Sequence, residues 1–199
     1  MNLKDLQNDW INEFSKPLII AGPCSAESEA QMMETAQRLK ESGAEVPVFR
    51  AGIWKPRTKP FGFEGVGVIG LNWLKKVKDE FGFKTATEVA NAHHVYAALE
   101  ADVDILWIGA RSTVNPFTVQ EIAVALKGTD KPVLVKNPVN PDLALWIGAL
   151  ERLLGQDVKN LGAIHRGFSS YQKTKYRNVP NWQIALDFKN QYPNIPMFV

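Results

Sequence analysis

The chain has 199 residues, 45% of them hydrophobic and 22% charged, with 23 Lys+Arg against 21 Asp+Glu for a net charge of +2. It carries no basic run that would call for nucleic acid, and no stretch approaches the roughly 18 continuous apolar residues of a membrane helix. The opening MNLKDLQNDW does not read as the apolar core of a secretory signal, and a single cysteine, Cys24, fits a reducing, cytoplasmic compartment.

Short β-rich runs predict strands over residues 17–22, 47–52, 83–88, 103–108, 132–136, 160–165 and 195–199. Most are apolar at consecutive positions, as expected for parallel strands covered on both faces. Helical stripes fill the intervals. Met32, Ala36 and Leu39 recur at helical spacing and stop at Gly43; Leu71, Leu74, Val77 and Phe81 form the next stripe. Val119, Ile122, Ala123 and Leu126 follow, then Leu143, Trp146, Ile147, Leu150, Leu153 and Leu154 on one face. Asn115-Pro116 and Asn140-Pro141 read as starts of these last two helices, a cap residue followed by proline, and Gly128 and Gly155 as their ends. A further helix is predicted over residues 180–192. Trp73 and Trp146 lie on helical stripes as core candidates, and His93 and His94, at a helix start, as surface residues.

Strands alternating with helices predict a parallel α/β architecture, and the spacing fits a (β/α)8 TIM-barrel type better than an open sheet. Only seven strands are legible. A barrel lacking its eighth strand leaves two open edges, so the expectation is an incomplete barrel belonging to a longer polypeptide. Residues 1–15 read as a lead segment too short for a regulatory domain, and residues 16–199 as the barrel domain.

In barrels the chemistry sits at the carboxyl ends of the strands. There the sequence places Cys24 (AGPCSAES), Arg50, Lys55 and Arg57 (KPRT), Glu88, Arg111 (IGAR), Lys136, and His165-Arg166. Six cations and one carboxylate at one mouth, in a chain with an excess of only +2, repel one another unless anions neutralise them. Arginine's planar fork suits phosphate and carboxylate oxygens, so the site reads as one for a polyanionic, phosphorylated small molecule. Each residue has a plainer reading. A lone cation after a strand is commonly a solvated loop residue, Glu88 an ordinary salt-bridge partner, and Cys24 a buried small apolar side chain. The glycine-rich run over residues 61–70 lacks a phosphate-loop context and reads as a mobile loop over the mouth.

The strings GPCSAES, FRAGIWKPRTKPFGFEG, TE at Thr87-Glu88, IGAR, KPVLVKNP and HRGF together resemble 3-deoxy-D-arabino-heptulosonate 7-phosphate (DAHP) synthases, from about Lys16 to the last residue. The resemblance is to the bacterial subtype related to octulosonate 8-phosphate synthase, with KPRT favouring the former. NPVNPDLALWIGALERL looks like the branch fused to a chorismate mutase domain.

The resemblance implies condensation of phosphoenolpyruvate with erythrose 4-phosphate, the first step of the shikimate pathway, by a cytoplasmic, homo-oligomeric enzyme that uses neither nucleic acid nor membrane. By it, Arg50, Lys55, Arg111, Lys136 and Arg166 hold phosphoenolpyruvate, and Arg57 and Thr58 take the phosphate of erythrose 4-phosphate. Lys55 serves also as proton donor or relay, Glu88 positions water or a cation, and Cys24 is a thiolate ligand to a divalent ion such as Mn, Fe, Co or Zn. The remaining ligands are expected beyond Val199, which makes the 199-residue chain an expected inactive or nearly inactive fragment. Lys59 stands where the family motif has serine. Two rival readings are a related phosphoenolpyruvate-dependent sugar-acid synthase and a non-catalytic sugar-phosphate binding module.

Overall fold

The computed structural model describes residues 2–199. They fall into two compact units, one of Asn12–Val89 with His93–Leu106, the other running up to Ile11 and then over Ala90–Ala92 and Trp107–Val199. Seven strands follow one another in the sheet in chain order.

In the first unit, β1 (Ile20–Ala21), β2 (Val48–Arg50) and β3 (Lys84–Val89) alternate with α1 (Glu29–Glu41) and α2 (Ile69–Phe81), and α3 (Ala92–Glu100) follows. The pairings are parallel, with Ile20 opposite Val48 and Arg50 opposite Ala86. Parallel neighbours demand these helical crossovers. Ser28 caps α1 by accepting from the Gln31 amide, and Gly82 closes α2 in the left-handed conformation at φ 73°. Buried Leu71, Leu74 and Val77 turn one face of α2 inward, while Trp73 is only half-buried.

The strand β4 (Ile105–Ile108) is buried at all four positions, as a strand covered on both faces must be. In the second unit, α4 (Ala110–Thr113), α5 (Pro116–Ala125), β5 (Val133–Lys136), α6 (Leu143–Gly155), β6 (Leu161–Ile164), α7 (Trp182–Gln191) and β7 (Met197–Phe198) follow. The strands β5, β6 and β7 are parallel, with Lys136 opposite Ile164 and Ile164 opposite Phe198. Fully buried Trp146 anchors α6: its indole donates to the Val135 carbonyl at 3.0 Å and its ring stacks 4.8 Å from Phe188 of α7.

The amino-terminal residues form two 3-10 turns, Leu3–Asp5 and Asp9–Glu13, with Leu3, Leu6 and Trp10 buried. Asn8 accepts from the Leu161 amide and donates to the Asn194 carbonyl, while Asn194 donates to the carbonyls of Leu3 and Leu6. Local hydrophobic periodicity has no purchase on such short elements.

Several local expectations are corrected. The helix expected to start at Asn140-Pro141 starts at Leu143, because Asp142 is the residue whose carboxylate accepts from the Leu145 amide at 2.8 Å. Gly155 is the last residue of α6 rather than its terminator, and α5 ends at Ala125, three residues before Gly128. Asn115-Pro116 does open α5, with the Asn115 side chain accepting from the Phe117 and Thr118 amides. Among residues 61–70 the last two belong to α2, and Lys55 and Gly67 tie the run back through bonds to the Glu64 and Ile53 carbonyls.

Candidate active site

The first unit gathers Cys24, Arg50 and Lys55 where β1 and β2 end. The Lys55 ammonium donates to the Cys24 carbonyl at 2.7 Å and lies 3.6 Å from its sulfur, and the Arg50 guanidinium donates to the Pro23 carbonyl at 3.1 Å. This closeness depends on missing side chains. A Cβ on Gly52 would lie 2.5 Å from the Cys24 carbonyl oxygen and 3.0 Å from Lys55 Nζ; one on Gly22, held at φ 143°, would overlap the Arg50 carbonyl oxygen.

Cys24 is exposed, not the buried apolar residue its plainer reading made it. Partial burial raises the pKa of its thiol, but the charges of Lys55 and Arg50 and their hydrogen bonds outweigh that and set it below the ordinary value. The result is a thiol that ionises more readily than a free one.

Arg57 and Thr58 are exposed in the turn beyond, where Arg57 Nε donates to the Phe63 carbonyl at 2.7 Å; Lys59 is exposed beside them. Glu88, near the end of β3, is half-buried. Neighbouring Thr87 donates its hydroxyl to the Ala51 carbonyl at 2.8 Å, fixing β3 against the residue after β2. His94 departs from its expected surface position: it is half-buried and stacks face to face on Trp54, ring centroids 3.9 Å apart and 6° from parallel. Burial lowers its pKa, the nearby His93 charge lowers it further, and Glu88 raises it in part.

In the second unit Arg111 sits exposed in the one-turn helix α4 rather than in a loop. Lys136 closes β5 with its ammonium 5.1 Å from the centre of the Trp107 ring. Two residues beyond β6, Arg166 is half-buried, and its Nη2 donates to the Asn178 side-chain oxygen at 2.8 Å. His165 is 4% exposed; its Nε2 lies 2.6 Å from the Pro180 carbonyl, which can only accept, so this nitrogen carries the hydrogen. Sequence reasoning missed Asn137 and Asn178. Both are short polar residues beside site cations, and only their position in the fold separates them from any loop asparagine.

The donor set for a metal ion is thin. Among the described residues no three His, Cys, Asp or Glu side chains stand together in a way that could hold one. Cys24 supplies one good donor, and one thiolate does not make a site. Among these residues, too, no helix is long and apolar enough to cross a membrane.

Residues 7–197 match the family model of the DAHP synthetase I family. A phospho-2-dehydro-3-deoxyheptonate aldolase of Thermotoga maritima is 34% identical over 155 residues, which is 78% of this chain and 44% of that protein. A 2-dehydro-3-deoxyphosphooctonate aldolase of Helicobacter pylori is 33% identical over 129 residues, 61% of this chain and 44% of the relative. The crystal structure of the Thermotoga maritima DAHP synthase superposes with a TM-score of 0.76 at 29% identity, covering 90% of this chain and 49% of that one. The chain thus spans about half the length of these relatives. With parallel strands joined by helices, cations at the strand ends and a family match over nearly its whole length, this chain belongs to the DAHP synthetase I family, on an α/β fold of the (β/α)8 TIM-barrel type.

Proposed function

We propose that this chain carries the phosphoenolpyruvate-binding part of a DAHP synthase. The reaction joins C3 of phosphoenolpyruvate to the aldehyde carbon of erythrose 4-phosphate, adds water at C2 and releases inorganic phosphate. The observation that carries the reading is the seating of Lys55 and Arg50 on the carbonyls of Cys24 and Pro23, two cations held at the ends of β1 and β2 by neutral dipoles. Cations so placed are arranged to meet anionic oxygens, and they stabilise charge where it develops in the reaction.

In this reading Arg50, Lys55, Arg111, Lys136 and Arg166 hold the phosphate and carboxylate of phosphoenolpyruvate. Arg57 and Thr58 take the second phosphate, where Lys59 adds a cation in place of a hydroxyl. Lys55 has three donor hydrogens and is the group suited to relay a proton near the reacting carbons. Glu88 orients water. A divalent ion, with Cys24 as one of its ligands, would supply Lewis acidity toward the aldehyde. The donors described here do not complete a site for it, so no step is assigned to it. Homo-oligomerisation, a cytoplasmic location and a fused chorismate mutase domain in a longer polypeptide belong to the same family reading.

Calorimetric titration of the chain tests the proposal directly. Phosphoenolpyruvate is expected to bind and to lose roughly tenfold or more in affinity in an Arg50→Ala variant. A chain that takes up no phosphoenolpyruvate defeats the reading. Preference for arabinose 5-phosphate over erythrose 4-phosphate in the phosphoenolpyruvate-loaded chain transfers it to the octulosonate relatives.

A further inference from the structure

We propose that Asn178 is a positioning residue for Arg166, a neutral carboxamide that aims the guanidinium at an anion while leaving its charge intact. The proposal rests on the reading of Arg166 as a contact to phosphoenolpyruvate. Arg166 is gripped at both ends by asparagine. At the main chain, fully buried Asn137 accepts from the Arg166 amide at 2.7 Å and donates to the Gly167 and Pro138 carbonyls at 2.9 and 2.8 Å. At the head, Asn178 Oδ1 accepts from Nη2 at 2.8 Å.

Asn178 is itself fixed. An antiparallel bridge between Phe168 and Val179, bonded both ways at 2.8 Å, closes the base of the intervening loop. Gly167, at φ 76°, lets the two segments meet: a Cβ there would lie 2.9 Å from the Val179 carbonyl oxygen and 3.1 Å from the Asn178 Cβ. His165 donates to the Pro180 carbonyl one residue further on, its ring 4.6 Å from Trp182 and 5.9 Å from Phe168. The loop tip is exposed, and these contacts fix its base.

A carboxylate at position 178 would make the stronger hydrogen bond to a guanidinium, yet it would cancel the charge that an incoming anion needs. An amide gives direction without neutralisation. This difference separates the proposed role from a merely structural one. If the contact only braces the loop, Asn178→Asp keeps the acceptor and outperforms Asn178→Ala. If the contact aims an intact charge, Asn178→Asp is the worse of the two for anions, although it folds at least as well.

The experiment is calorimetric titration of wild type, N178A and N178D with phosphoenolpyruvate, alongside thermal midpoints. The expected order of affinity is wild type, then N178A, then N178D, with N178D weakened roughly tenfold or more and its midpoint no lower than that of N178A. N178D binding as tightly as N178A, or tighter, overturns the proposal. Asn178→Ser, a neutral acceptor on a shorter arm, replaces the alanine variant if that one misfolds. Wild type that ignores phosphoenolpyruvate sinks the functional reading and this inference with it, whereas binding in the wrong order sinks the inference alone.

Discussion

The two units hold their cations by different means. In the first, Lys55, Arg50 and Arg57 rest on main-chain carbonyls of Cys24, Pro23 and Phe63, so their placement is only as good as the path of the backbone beneath them. In the second, Arg166 is held by side-chain amides, one of them buried, that grip its main chain and its head separately. Backbone carbonyls need only the absence of side chains, which is why Gly22 and Gly52 stand where they do. Side-chain amides need particular residues at particular depths. Neither a carbonyl nor an amide carries a charge that would neutralise the cation it points. The first is undone by adding atoms and the second by removing them.

That contrast can be broken from either side. The largest effect is expected from Gly52→Ala, whose new methyl must displace the Cys24 carbonyl or the Lys55 head. A loss of about 3 kcal/mol in urea unfolding is expected, with faster hydrogen exchange in β2 and β3 and little change in β5 and β6. Uniform change across the amides of both units would show that the units do not hold their sites independently.

Next comes Asn137→Ala, which leaves the Arg166 amide and the Gly167 carbonyl without their buried partner. About 2 kcal/mol is the expected cost, this time with exchange rising around residues 164–168. An unchanged unfolding midpoint would remove Asn137 from the account.

The smallest effect sharpens the comparison through pH. Burial holds His94 below its ordinary pKa against Trp54, the residue before Lys55. The unfolded chain therefore binds the proton more readily than the folded one. Stability from this source is complete above about pH 6.5 and is lost as pH falls from there through the lowered native value. His94→Phe keeps an aromatic face for Trp54 and should flatten the dependence in that window. A slope identical to wild type would assign the acid sensitivity elsewhere.

Fold and chemistry were legible in the sequence to different depths. The apolar runs located all seven strands, because a parallel strand buried on both faces must be hydrophobic at successive positions, as β4 is. Their ends were read too generously: the run over residues 17–22 pairs as a strand only at Ile20–Ala21. The helix expected at Asn140 slipped to Asp142 because three polar or proline residues in a row offer competing caps, and only one carboxylate reaches the Leu145 amide. The helix α4, four residues long, is too short to show periodicity. The candidate site cations could be picked out because their type and position after strands are unusual together. Asn137, Asn178 and the Trp54–His94 stack were not, since their meaning lies in partners 29, 12 and 40 positions away.

The tethering of the amino terminus bears on how this polypeptide is born. Asn8 waits for Leu161, 153 positions on, and Leu3 and Leu6 for Asn194, 191 and 188 positions on. During synthesis those partners leave the ribosome more than 150 residues after the segments they cover, so Leu3 and Leu6 stay without these contacts until then. An early-made segment therefore settles late, which makes the nascent chain a client for chaperones that cover greasy segments until residues 161–194 emerge.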